Sequence, residues 1–238
     1  MPKPDSTKLK VISAGAVEYI VTPLGAQFMR ETGVTVVFTF NTIAGVRKRL
    51  ASGEKGDIVI GTTPAIQQME EEGIVVAGTT VELGRTLTGI CVREGSPVPD
   101  ISTPEAFKAA LLKARSFAYT DPKAGGTSGI FLTGLLERLG ILAEVRAKSV
   151  MCINGEDVVS KVVSGQAEIG STFVSEFILA KGIASAGPLP AAFGNATAYS
   201  AGLLAIGETS EIARSFIAMI RSPVNRSAWV KGGFKPAL

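Results

Sequence analysis

The smallest and most hydroxylic residues of this chain gather where hydrophobic runs stop. Ser13-Ala14-Gly15-Ala16 follow LKVI, Asn41-Thr42 follow VTVVFTF, and Gly61-Thr62-Thr63 follow DIVI. Gly125-Gly126-Thr127-Ser128 follow FAYTDPKA, and Ser171-Thr172 follow AEIG. Glycine lets a ligand approach the main chain, and Ser and Thr add short donors. Where such a stretch leads into a helix, unpaired N–H groups and the helix dipole favour an anion. Any one cluster is equally what a turn uses. Their recurrence at successive tips points to an anion site.

Charged residues beside these tips extend the candidate chemistry. Glu18 and Tyr19 follow the first cluster at once. They offer a base and a donor for proton transfer, or simply an exposed first helical turn in which glutamate suits the dipole. Pro23 leaves open a second placement, with Thr22 capping the helix and residues 16–21 as loop. Arg47, Arg85 and Lys123 could grip carboxylates, the arginines in bidentate fashion, or stand as solvated surface charges. Asp157 is a further ligand candidate, and Lys123, Asp157 and Glu176 are the reserve bases.

Several chemistries are excluded. The chain has no GxxxxGK[ST], and no GxGxxG follows its first strand. With no histidine in 238 residues, neither a Ser-His-Asp triad nor a His/Cys metal site can be built. Cys91 and Cys152 lie in the apolar runs TGICV and SVMCI and read as buried reduced thiols. No metal and no cofactor are expected. The net charge of +3 is made of interspersed signs, which gives no stripe for nucleic acid. No apolar run is long enough to span a bilayer. MPKPDSTKLK has no apolar signal core, so the chain reads as cytoplasmic as written, and as periplasmic if a leader was removed. A monomer is expected.

The elements that must position these residues alternate from end to end, which predicts an α/β architecture with mainly parallel strands. LKVIS, VTVVFTF and GDIVIGTT read as strands. Between and after them come helices around Leu24–Met29, over 43–52, and over PAIQQMEEEG. The texture changes near residue 85, where RTLTGICVREGSP forms a long β stretch. STPEAFKAALLKA, GGTSGIFLTGLLERLG, EDVVSKVVSG and SEIARSFIAMIRS read as helices, interleaved with the strands SFAYTDP, AKSVMCI, AEIGSTFVSE and TAYSAGLLAIG.

The order of LKVISAGAVEYI, FMRETGVTVVFTF, RKRLASGEKGDIVIGTT, TDPKAGGTSGIFLTGLLERLG and NGEDVVSKVVSGQAEIG resembles the type 2 periplasmic solute-binding proteins, in their molybdate-binding branch, over about residues 9–237. The resemblance implies a two-lobe fold with a ligand cleft between the lobes. Lobe one would be residues 1–87 plus 200–238 and lobe two 88–199, with the hinge near 85–88 and 198–202. A small anion would be the ligand, and a transporter permease the partner if the protein is exported. The pattern departs where the branch carries hydroxyls: Ala16 and Ile43 stand there, with Thr42 beside the latter, and Phe173 stands where a tyrosine is expected. Each hydroxyl lost to a desolvated dianion costs about 1–3 kcal/mol. A di- or tricarboxylate is therefore expected rather than molybdate. A similar scaffold occurs in aconitate isomerase, which implies the alternative of a cofactor-free allylic proton shift.

Overall fold

A parallel strand with neighbours on both sides must be apolar on both faces, and β1 (Lys8–Ala14) becomes so along its length. In the computed structural model, which describes residues 8–207 and 210–237, β1 pairs in parallel with β2 (Thr35–Asn41) and β3 (Ile58–Thr62). Between them run α1 (Glu18–Thr32) and α2 (Ile43–Ala51), and α3 (Thr63–Glu71) follows β3. α1 stops where Gly33 turns left-handed at φ 76° and returns its N–H to the Met29 carbonyl at 2.9 Å. On one face of these strands Ile12 and Val59 pack with Val46, Ile66 and Met69 of the two shorter helices. On the other, Phe28 of α1 meets Phe216 edge-on at 5.3 Å, with Phe38 of β2 beside it.

The chain divides into two compact units, Met1–Arg85 with Ala198–Leu238, and Thr86–Thr197. β4 (Val81–Arg93) leads from the first unit into the second. There follow α4 (Pro104–Lys113), β5 (Phe117–Thr120), α5 (Thr127–Arg138), α6 (Leu142–Arg146), β6 (Ser149–Cys152) and α7 (Gly155–Val163). β7 (Ile169–Phe173), α8 (Val174–Phe177) and β8 (Ile183–Pro188) close the excursion. β5 pairs in parallel with β6 and β7, whereas β7 and β8 run antiparallel to β4. Phe107, Phe117, Leu132, Leu136 and Val145 fill one core, and Cys91, Ala118, Cys152, Val158 and Val162 another.

β9 (Ala196–Leu203) returns the chain, pairing antiparallel with β3. α9 (Ser210–Ile220), α10 (Arg226–Lys231) and β10 (Phe234–Pro236) complete the first unit. There Trp229 stacks edge-on against Phe234 and donates its indole N–H to the Ile220 carbonyl at 2.8 Å.

The α/β alternation follows the sequence reading, with one local correction. α1 starts at Glu18, after a single 3₁₀ turn over Gly15–Val17, so Thr22 is not its cap and residues 18–21 are helical. Pro23 lies inside the helix and costs it one N–H donor, the one that would reach the Tyr19 carbonyl. Burial of Ile20, Val21 and Leu24 on both sides of the proline offsets that loss. The unforeseen β8, IASAGP, has little intrinsic strand preference and forms by pairing with β4. Among the described residues no helix is long and apolar enough to cross a membrane.

Candidate functional site

Parallel strands bring their carboxyl ends to a common edge, and each unit has one such edge. In the first unit Ala14 lies beside Asn41, and Ser13 beside both Phe40 and Ile60. The edge therefore carries Gly15 and Ala16, Asn41 and Thr42, and Thr62 and Thr63. Ala14 and Ala16 are buried, and Gly15 is the half-buried point at which main chain can be approached. Ser13 is fully buried and donates its hydroxyl to the Ala14 carbonyl at 2.9 Å, which removes it from ligand contact. Thr42 caps α2 by accepting from the Gly45 N–H at 3.2 Å, while Asn41 Oδ1 takes the Thr42 N–H at 2.8 Å. Ile43 leans over Gly61, where an added Cβ would lie 2.4 Å from its Cδ1. The edge is thus floored by backbone and an apolar side chain.

Antiparallel β9 adds residues that sequence reasoning missed. Tyr199 pairs opposite Thr62 and Ser200 opposite Gly61, and the Thr63 and Ser200 hydroxyls share a bond at 2.8 Å. A search confined to carboxyl ends of strands cannot find a strand that reaches the edge with its amino-terminal half. Glu18, half-buried, and Tyr19, 40% exposed, open α1 at this same edge.

In the second unit Thr120 ends β5 next to Cys152, and Tyr119 lies beside Ser171. The edge holds Thr120, the GGTS turn into α5, Asn154 opening α7, and Thr172 with Phe173 opening α8. The first turn of α5 presses on the β5 tip so closely that a Cβ on Gly129 would stand 2.1 Å from the Thr120 carbonyl oxygen. Ser128 Oγ lies 3.4 Å from Thr172 Oγ1, and Thr172 donates to Glu176. Gly126 is buried and Thr127 half-buried at the start of α5, where N–H groups lack intrahelical partners. Phe173 is 4% exposed and brings no hydroxyl to the edge.

Buried polar atoms without a protein partner collect in this unit. Among the described residues they include Thr88 Oγ1, Thr120 Oγ1, Ser175 Oγ and Asn195 Oδ1. Thr120 ends β5, Thr88 pairs opposite Phe173, and Ser175 is the second residue of α8. Asn195 is tied to the same place, since its amide donates to the Leu189 carbonyl and the Leu189 N–H to Thr88. Tyr119 Oη and Thr133 Oγ1 are buried neighbours on β5 and α5 that interact with each other, so they are set apart from the four above. None of these groups was singled out from sequence; a Thr ending a β-branched or aromatic run, as in FAYT, was the available signal.

The cationic candidates separate. Arg47 gives one guanidinium nitrogen to both oxygens of Glu72, at 2.7 and 2.9 Å. Glu72 caps the far end of α3, so Arg47 is held away from the tips, in a shallow groove of about 260 Å³ with Leu50, Met69 and Ile74. One guanidinium nitrogen of Arg47 is thus spent on Glu72, while its Nη1 is buried without a protein partner among the described residues. Arg85 is exposed and paired with Glu82 at 3.1 Å on its own strand. Lys123, exposed in the turn between β5 and α5, stays at the edge of the second unit.

The reserve bases are engaged as well. Asp157 accepts from the Ile153 N–H at 3.1 Å and receives Asn154 as its helix cap in return, with Lys161 at 4.0 Å. That reciprocal capping gives the Asp157 carboxylate a structural role at the start of α7. Glu176 accepts from Thr172 and from the Phe173 N–H, the latter at 3.2 Å.

Comparison with known proteins gives the chain a family. A family model described as bacterial extracellular solute-binding protein matches residues 9–235. An aconitate isomerase of Pseudomonas sp. is 30% identical over 236 residues, covering 97% of this chain and 88% of that one. The molybdate-binding protein ModA of Mycobacterium tuberculosis is 21% identical over 239 residues, covering 98% and 86%. The periplasmic molybdate-binding protein of Azotobacter vinelandii superposes with a TM-score of 0.81 at 18% identity, over 97% of this chain and all of that one.

Proposed function

Because the chain belongs to the bacterial extracellular solute-binding proteins, we propose that it captures a small organic anion, a di- or tricarboxylate rather than molybdate, at its strand-tip edges. The observation that carries this reading is the set of buried, unpartnered polar atoms at the edge of the second unit: Thr88, Thr120, Ser175 and Asn195. A buried polar group left unpaired costs about 1–3 kcal/mol. Several of them at one edge, beside the free N–H groups that open α5, mark a place built to be completed by a polar ligand. Lys123 supplies positive charge there. At the first unit's edge, Ala16 and the apolar Ile43 over Gly61 withhold the hydroxyls that a compact dianion would need.

The test is a thermal-shift and calorimetric series with di- and tricarboxylates, molybdate and sulfate. Carboxylates should give the larger stabilisation. A rise with micromolar molybdate exceeding that with every carboxylate overturns the reading. If the protein is exported, a transporter permease is the partner this family membership supports.

A second reading is an isomerase moving a proton within an unsaturated carboxylate. It is favoured by the 30% identity to aconitate isomerase across nearly the full chain. Glu18, half-buried in the first turn of α1, would be the base, and Tyr19 a donor. The assay is exchange of ligand C–H protons in D₂O with cis- and trans-aconitate. Glu18→Gln should bind but not exchange; absence of exchange in wild type removes this reading.

A further inference from the structure

Hydrogen bonds have a direction, and in the second unit one carboxylate fixes it. We propose that Glu176, acting through Thr172, makes the Ser128 hydroxyl an acceptor toward the ligand, so that this edge selects carboxylates carrying a hydroxyl over anions built only of acceptors. The proposal rests on the carboxylate reading above and names the ligand class within it.

An ionised carboxylate has no proton to give, so every hydrogen bond it makes is one it accepts. Glu176 Oε2 receives the Thr172 hydroxyl and the Phe173 N–H. Its position is fixed by the first turn of α7: a Cβ on Gly155 would come within 2.2 Å of the Glu176 carboxylate, so glycine there makes its room. Thr172 has one hydroxyl proton, and it is spent on Glu176. Toward Ser128 it can offer only lone pairs, and the 3.4 Å contact between the two oxygens therefore runs from Ser128 to Thr172. With its proton turned inward, Ser128 presents lone pairs to the edge. Ser128 is 5% exposed and Thr172 not at all, so Ser128 is the member of the chain that a ligand can reach.

Next to this acceptor stand the N–H donors that open α5. Donors beside an acceptor match a carboxylate beside an O–H. Sulfate or molybdate, which at neutral pH only accept, would face the Ser128 lone pairs with their own. At 3.4 Å the Ser128–Thr172 bond is long, so its effect is a bias rather than a lock.

Citrate and tricarballylate, which differ by a hydroxyl in place of a hydrogen, test this by calorimetry on the full chain at pH 7.5, with sulfate as the acceptor-only anion. One well-made hydrogen bond corresponds to roughly tenfold in affinity, so citrate should bind wild type about tenfold more tightly. Thr172→Ser should keep that ratio, and Thr172→Val should reduce it to about twofold or less. Glu176→Gln is the second probe, because its amide can donate to Thr172 and free the hydroxyl proton. It should raise the affinity for sulfate relative to citrate. Equal binding of the two tricarboxylates by wild type, or a ratio unmoved in both Thr172→Val and Glu176→Gln, overturns the proposal and leaves the carboxylate reading standing. If neither tricarboxylate binds, the carboxylate reading falls and the proposal falls with it.

Discussion

A threonine whose hydroxyl is buried without a partner is a liability unless something other than folding keeps it. Thr120 is 1% exposed and its Oγ1 has no protein partner. Thr120→Val, which replaces that hydroxyl by a methyl of similar size, should stabilise the ligand-free protein by about 1 kcal/mol. The same change should weaken carboxylate binding. Urea unfolding and calorimetry on one variant check both halves; a loss of stability, or unchanged affinity, would show the hydroxyl to be structural. Arg47 is a mixed case. One nitrogen of its guanidinium pairs with Glu72 on a partly exposed face, while Nη1 is buried without a protein partner among the described residues. Held away from the strand tips, Arg47→Ala should leave ligand affinity unchanged and cost at most about 1 kcal/mol of stability. A weakened ligand in that variant would return Arg47 to the site.

At the scale of elements, the candidate site depends on how closely helices start against strand tips. Gly129 lets α5 begin against the Thr120 carbonyl; an added Cβ would stand 2.1 Å from that backbone oxygen, which has little freedom to yield. Gly129→Ala should therefore push α5 off the β5 tip, destabilise the protein by about 1–3 kcal/mol and impair ligand capture. Thermal unfolding and calorimetry with citrate measure the two effects, and a variant with unchanged melting and affinity would mean that the helix start is not under this constraint. Elements of this kind were legible in the sequence because period and punctuation agree. The stretch from VTVVFTF to the Thr42 cap of α2 is an example, as is Gly33 at the end of α1. Where they disagree, the reading divides: Pro23 suggested a late start for α1, yet buried Ile20 and Val21 carry the helix through it. The candidate site was legible only as residue types at tips. Which hydroxyls are spent on neighbours, as with Ser13 and Thr172, and which are left over, as with Thr120, depends on pairing across strands that no single segment encodes.

For the molecule as a whole, its intrinsic probes fall conveniently on different units. The lone tryptophan, Trp229, is buried in the first, and both cysteines are buried in the second. Burial pushes the Cys91 thiol up to about 12, and burial together with the nearby Asp157 carboxylate does the same for Cys152, against an ordinary value of 9.0. Because the folded thiols keep protons that the unfolded ones lose, stability should fall as pH rises from about 9 toward 12 and be independent of these groups below that window. Both thiols are buried and held protonated, so at pH 8 a thiol reagent should label Cys91 and Cys152 only when their unit opens. Pulse labelling along a urea gradient then reports the Thr86–Thr197 unit, while Trp229 fluorescence reports the other. A carboxylate at one hundred times its dissociation constant should stabilise against unfolding by about 2.7 kcal/mol. A shift in the fluorescence transition would show that the first unit's edge, with Glu18, takes part in capture. A shift in the thiol transition alone would confine the ligand to the edge of Thr120, Ser128 and Thr172, and remove Glu18 from any chemistry performed on it.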